Sequence, residues 1–238
     1  MKSGDGGPIR FLFAGDLDLA ASILGKEEGG AKLDKGFAAR VSERFGDRVA
    51  IEVVFEPCPD LATLLAALQT TSSVSLPLVQ RMRNEGFNVL VTSLGADLRL
   101  MQPEMGTGSA RAIAYLEQLL DFIRVIKQEF GSHLMIMNAS TVDPTNHVSN
   151  FSQVQLEPMY LTANRLNLAL IKASIEEGIS IIDVDRLLAE RGAAEHVHGF
   201  LDYSEAACSV ICDELIRIVE DYGFFDDRPL LMQLGVSG

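Results

Sequence analysis

Apolar positions along this chain fall into two alternating patterns. Short continuous runs come first: IRFLFA (Ile9–Ala14), VAIEVVFE (Val49–Glu56), NVLVTSLG (Asn88–Gly95), HLMIMNA (His133–Ala139) and ISIIDVD (Ile179–Asp185). Each ends in or against Gly, Pro, Asn or Asp, the residues that turn a chain. Continuous apolar runs of this length are what strands buried on both faces require. Between the runs, apolar residues recur three and four apart, which predicts helices over Leu61–Gln69, Leu78–Glu85, Ala110–Phe130, Leu161–Glu177 and Ser204–Tyr222. In the longest of these, Ile113, Leu116, Leu120, Ile123 and Ile126 share one face. Strand and helix alternating five times predicts an α/β protein with a parallel sheet of about five strands and helices on both faces. No repeat, low-complexity tract or linker interrupts the pattern. Residues 1–8 are expected to form a flexible N-terminus and residues 9–238 a single domain.

Such sheets bind ligands beyond the carboxyl ends of their strands. The loops to inspect therefore follow Ala14, Glu56, Leu94, Ala139 and Ile182. Gly25, Gly29, Gly30 and Gly36 open the first of them, and MQPEMGTGS (Met101–Ser109) and TVDPTNHVSNFSQ (Thr141–Gln153) are long connections on the same edge. Long loops there often carry function.

Composition narrows the classes. The chain is 47% hydrophobic and 22% charged, as folded soluble proteins are. Acidic residues outnumber basic ones 33 to 20, a formal charge of -13, and the basic residues are scattered. That balance repels phosphate backbones and argues against nucleic acid. The start, MKSGDGGPIRFLFAG, does not read as a signal peptide, and no run reaches the length of a membrane span. Cys58, Cys208 and Cys212 make no disulfide framework, which fits a reducing, cytoplasmic setting.

Three groups of candidate residues fall on the carboxyl edge. Gly15, Asp16, Leu17 and Asp18 follow the first strand, and Gly95-Ala96-Asp97 follows the third. EHVHGFLDYSEAA brings His196, His198, Asp202 and Ser204 to the start of the last helix. In this layout the chain resembles the SGNH (GDSL-type) hydrolases, and most clearly from Asn164 to Val219. The resemblance implies a three-layer, flavodoxin-like α/β fold. It also implies a site in which a Ser after the first strand attacks an ester, with an Asp-x-x-His before the last helix as its orienter and base. Gly15-Asp16 match the family's first two motif positions, but Leu17 stands where the nucleophile belongs. Asp97 stands where the family has its oxyanion-hole Asn, and the turn after the second strand reads Pro57-Cys58-Pro59 rather than a Gly. In one alignment Asp202 takes the family's His position and Gly199 its Asp position. In another, four residues away, His198 is the base and Glu195 its orienter.

The departures have chemical consequences. Leu17 has no lone pair and cannot form an acyl intermediate. An ionised Asp97 would repel a developing oxyanion that an Asn amide stabilises. The expected reading is therefore a divergent, Ser-less SGNH hydrolase-like protein. It would bind a small polar ligand of the acyl or sugar kind, or act through carboxylates, with Asp16, Asp97, His198 and Asp202 as catalytic candidates. Gly15, Leu17, Asp18, Gly95 and His196 are the expected ligand contacts.

Alternatives remain open at this stage. Asp16-Leu17-Asp18 resembles the D-x-D of haloacid dehalogenase-like phosphotransferases, which would make Asp16 a nucleophile with Mg2+ beside it, although Ala20 replaces the Thr of that pattern. Otherwise no metal or cofactor is expected. An esterase or acyltransferase using another serine is a further option, as is a non-catalytic domain that binds a protein partner or a second copy. Ser93 and Ser140 read as serines bonded to local backbone. His133 and His147 read as surface or turn residues, and Arg165 and Asn167 as helix-surface residues.

Overall fold

The apolar runs become the five strands of one parallel sheet in a computed structural model, which describes residues 7–15, 35–57, 61–69, 77–94, 109–141, 153–197 and 203–225. The strands are β1 (Ile9–Gly15), β2 (Ile51–Pro57), β3 (Val89–Ser93), β4 (His133–Met137) and β5 (Ser180–Ile182), in the order β2-β1-β3-β4-β5. Phe11 pairs with Val53 on one side and Val89 on the other, and Val91 pairs in turn with Met135. Phe11, Leu12, Val89, Leu90, Met135 and Ile136 have no accessible surface, so the middle of the sheet is dry on both faces. This is why these segments read as unbroken apolar runs rather than alternating ones.

The helices are α1 (Phe37–Phe45), α2 (Leu61–Gln69), α3 (Pro77–Glu85), α4 (Ser109–Val125), α5 (Gln153–Glu177), α6 (Val184–Ala189) and α7 (Glu205–Asp221). A π turn, Ile126–Phe130, continues α4 to the end predicted for it. Helices α1 and α7 pack together, whereas α4 touches α2 and α5. Right-handed crossovers in a sheet of this order put α1 on one face and α2 to α5 on the opposite face, and α7, which packs on α1 and α6, covers the first face. The three-layer arrangement expected from the sequence follows.

Three elements differ from the sequence expectation. β5 stops at Ile182 instead of Asp185, because the Asp183 side chain accepts the Arg186 N–H and caps α6. α5 begins at Gln153, eight residues before the expected Leu161, and runs through Pro158. A proline there forfeits a single bond near the start of a 25-residue helix, a loss the remaining turns absorb. α1 is not among the helices that the apolar pattern predicts. Only Phe37 and Val41 mark its buried face, and the Phe37 ring stands edge-on to Phe11 and Phe13 at 5.0 and 5.5 Å.

His133 is not the surface residue its position suggested. Its Nε2 lies 2.8 Å from Ser180 Oγ, and its ring packs against Tyr222 and Phe224. Burial, helped by the nearby Lys127 ammonium, lowers its pKa from 6.5 to about 4, so the ring is neutral at pH 7. Cys208 and Cys212 are core residues on the inner face of α7. Burial pushes the Cys212 thiol up to about 12, which leaves it unreactive at neutral pH.

Candidate functional site

The described part of the carboxyl edge is built from the exit of β4. Asn138 continues the ladder through its N–H to Ile182 O, 3.2 Å. Its side-chain amide donates to Asp183 Oδ1 at 2.8 Å and accepts the Asp185 N–H at 3.2 Å. Both ends of a nearly buried amide are thus satisfied by the β5–α6 turn. Two residues on, Asp185 accepts from the Thr141 N–H and from Thr141 Oγ1, at 2.5 and 2.7 Å. Such bonds to an ionised acceptor are among the stronger ones available.

The same exit is held from the helix layer. Asn167 on α5 accepts the Ala139 N–H at 3.1 Å and donates to Ala139 O at 2.8 Å, an amide pairing with a backbone peptide in a buried setting. Asn167 is therefore not the helix-surface residue expected of it. It is 8% exposed and holds the turn from inside, while Arg165, two residues away, is exposed as expected. Residues 138–141 are fixed by three side chains, from α5, the α6 cap and the first turn of α6. The sequence contained these residues only as turn formers at strand ends. The available signal was a pair of Asx residues, Asp183 and Asp185, spaced to reach two different partners.

The second described part lies before α7. Val197 and Tyr203 form an isolated antiparallel bridge, and the Ser204 N–H donates to His196 O at 2.8 Å. His196 Nδ1 lies 3.0 Å from Ser204 Oγ, which also accepts the Ala207 N–H and caps α7. A serine hydroxyl within hydrogen-bond reach of an imidazole has the outline of a nucleophile and its base. Here the hydroxyl is committed to the helix cap, and backbone and side-chain bonds tie the two residues to each other. The pair closes the turn between them and fixes where α7 begins.

Of the candidate residues, Gly15 is the last residue of β1, in register with Pro57, and His196 belongs to the closure just described. Asp16, Leu17, Asp18, Gly95, Asp97, His198 and Asp202 lie outside the described residues. The structure fixes the strand ends from which the first five depart. His198 and Asp202 fall in the sequence between the bridged residues Val197 and Tyr203. Ser93 is the last residue of β3, and Ser140 sits in the clamped exit of β4. Among the described residues no group of three His, Cys, Asp or Glu could hold a metal ion. No described helix is long and apolar enough to cross a membrane.

A groove of about 820 Å³ runs along the seam of α1 and α7 and reaches the first turn of α7 at Glu205, lined by Lys35, Arg40, Ser209 and Asp213 among others. Its charges are mutually occupied. Arg40 donates to Asp213 Oδ1, Ser209 Oγ and Lys35 O at 2.7, 2.8 and 2.8 Å, and Lys35 pairs with Glu43. The groove is in large part an ion-paired joint between two helices.

The assembled fold has counterparts among solved structures. An acetylxylan esterase from Geobacillus stearothermophilus, solved as a catalytic mutant, superposes with a TM-score of 0.60 at 15% identity, over 91% of this chain and 95% of its own. A member of the lipolytic G-D-S-L family from Veillonella parvula matches at 0.57 and 10% identity, over 89% and 98%. Phospholipase A1 from Streptomyces albidoflavus matches at 0.56 and 13%, over 89% and 99%. No protein-family model and no curated protein matches the sequence. At these identities the likeness is one of fold: this chain has the three-layer α/β architecture of the SGNH/GDSL hydrolases over nearly its whole length.

Proposed function

We propose that this chain keeps the SGNH hydrolase scaffold without its serine chemistry and binds a small polar ligand at the carboxyl edge of the sheet. The observation that carries the proposal is the residue sequence leaving β1. Gly15, the final strand residue, is followed by Asp16 and Leu17, and the branched hydrocarbon stands where the resemblance calls for a nucleophile. Ligands of the acyl or sugar kind are the natural candidates, because an acetylxylan esterase, a lipolytic protein and a phospholipase share the fold. In this reading Asp16, Asp97 and Asp202 are the groups that bind the ligand or move its protons, with His198 beside them. Gly15, Asp18, Gly95 and His196 shape the site.

The β4 exit supports the proposal from the scaffold side. Asn138, Asp185 and Asn167 hold residues 138–141 with at least five hydrogen bonds, as a rigid base for polar groups at the edge requires. The buried thiols Cys208 and Cys212 fit the cytoplasmic setting expected of the sequence.

A screen of acetylated xylooligosaccharides, short-chain esters and phosphate monoesters tests the reading, with the wild type beside Asp16→Asn. Ligands should raise the melting temperature of the wild type, and Asp16→Asn should weaken that shift at least about tenfold in ligand concentration, the loss of one charged hydrogen-bond partner. A shift that survives Asp16→Asn unchanged removes Asp16 from the site. Mg2+-dependent release of phosphate that Asp16→Asn abolishes would replace the proposal with the phosphotransferase reading.

A further inference from the structure

Four of the five large hydrophobic side chains exposed among the described residues lie on one helix, α5: Leu161 (50%), Leu168 (67%), Ile171 (49%) and Ile175 (81%). The fifth, Tyr222, packs on His133. Their spacing of seven, three and four residues draws one stripe along the helix, opposite the inward positions Ala163, Leu166, Leu170 and Ala173. α5 is thus apolar on both sides, and an apolar stripe about 21 Å long is left on the outside of the molecule. A spacing of seven residues, subdivided three and four, is that of a seam between two helices.

We propose that this stripe is a two-fold interface at which α5 of one molecule packs antiparallel on α5 of a second copy. Charge on the helix selects both the partner and the register. Lys172, Arg165 and Glu176 all lie on one edge of the stripe, and Ile171 and Asn164 lie on the other. A two-fold axis between positions 170 and 171 brings like edges together. Leu168 then sits between Ile171 and Ile175 of the second copy, and each Arg165 lies opposite the other copy's Glu176. An axis between positions 168 and 169 would instead set Arg165 against Lys172 and repel. Glu176 already pairs electrostatically with Lys172 at 3.7 Å within its own helix, and the arriving guanidinium adds a hydrogen-bond donor from across the axis.

Area sets the strength. Stable interfaces bury about 800 Å² on each partner, and one helix pair of this length covers roughly half of that. The dimer is therefore weak, with dissociation in the micromolar range or above, and it forms and separates with concentration. An isologous contact of this kind closes on itself and does not propagate into fibres.

Sedimentation velocity of the full chain from about 2 to 200 µM tests the proposal, with circular dichroism melts as the folding control for exposed substitutions. The wild type should move from monomer toward dimer across that range. Ile175→Glu should remove dimer throughout, and Arg165→Glu should weaken association at least about tenfold. Arg165→Glu combined with Glu176→Arg should restore it, because both members of the pair are then exchanged in each copy. A monomer at all concentrations overturns the proposal, as does a dimer indifferent to Ile175→Glu or a double exchange that fails to restore it. Binding of monomers to phosphatidylcholine vesicles, lost in Ile175→Glu, would assign the stripe to a lipid surface instead. Dimerisation that appears only when residues 226–238 are removed would assign it to that segment of the chain.

Discussion

Asn167 shows how much of the site's rigidity rests on single amides. It pairs with the backbone N–H and C=O of Ala139, a residue with 1% of its surface exposed, so losing the amide strips both groups of their partner in a buried setting. Asn167→Leu leaves a buried N–H and a buried C=O without partners and should cost about 2–4 kcal/mol, read as a lower midpoint in urea unfolding. His133 makes a prediction in pH. Its folded pKa of about 4 lies below the ordinary 6.5, so on acidification the unfolded chain takes the proton first. The stability from the neutral ring is complete above pH 6.5 and is lost as pH falls from 6.5 toward 4. Discounted for partial exposure, the loss at pH 5 is about 1 kcal/mol. Unfolding of wild type and His133→Leu at pH 7 and pH 5 should differ by that amount, with the wild type the more acid-sensitive. At this scale the sequence was a poor guide. Asn167 and His133 both read as surface residues, because an apolar environment shows in a pattern while a single buried polar partner does not.

At the scale of elements the pattern was a better guide. All five strands were legible because burial on both faces leaves unbroken apolar runs, and α2, α3 and α7 fall within a residue of their expected ends. The failures have physical causes. The expected end of β5 at Asp185 overruns the start of α6, since IIDVD is as apolar as a strand and only the Asp183 cap turns it into a helix. α1 hid because two buried residues are too few to show a period. The β5–α6 turn also bears on the site, through Asp185. Asp185→Ala removes the acceptor of two Thr141 bonds and should cost about 1–3 kcal/mol. It should also speed amide exchange at Thr141 while leaving the β4 ladder protected. Equal acceleration throughout β4 would mean that the clamp supports the whole strand rather than its exit.

For the whole molecule, the parallel sheet and its two helical layers reproduce the SGNH/GDSL architecture across 89–91% of the chain in structures only 10–15% identical to it. Packing preserves such a scaffold, because any set of apolar residues of suitable volume fills the same dry sheet. Chemistry is less forgiving, since in the proposed reading one residue, Leu17 in the sequence after β1, decides whether an acyl enzyme can form. That is why the fold could be read from periodicity while the reaction had to be argued from single positions. Gly15 lies at the expected strand end. Of the candidates before the last helix, His196 and Ser204 are among the described residues, and both serve in the closure before α7.

The absence of serine chemistry is the central claim, and covalent labelling tests it most directly. Intact-mass spectrometry of the native chain after incubation with a fluorophosphonate should show unmodified protein, because Leu17 offers no nucleophile and the Ser204 hydroxyl is committed to capping α7. One stoichiometric adduct, lost on denaturation before labelling and mapped to Ser93, Ser140 or Ser204, would contradict the account and restore an active serine hydrolase.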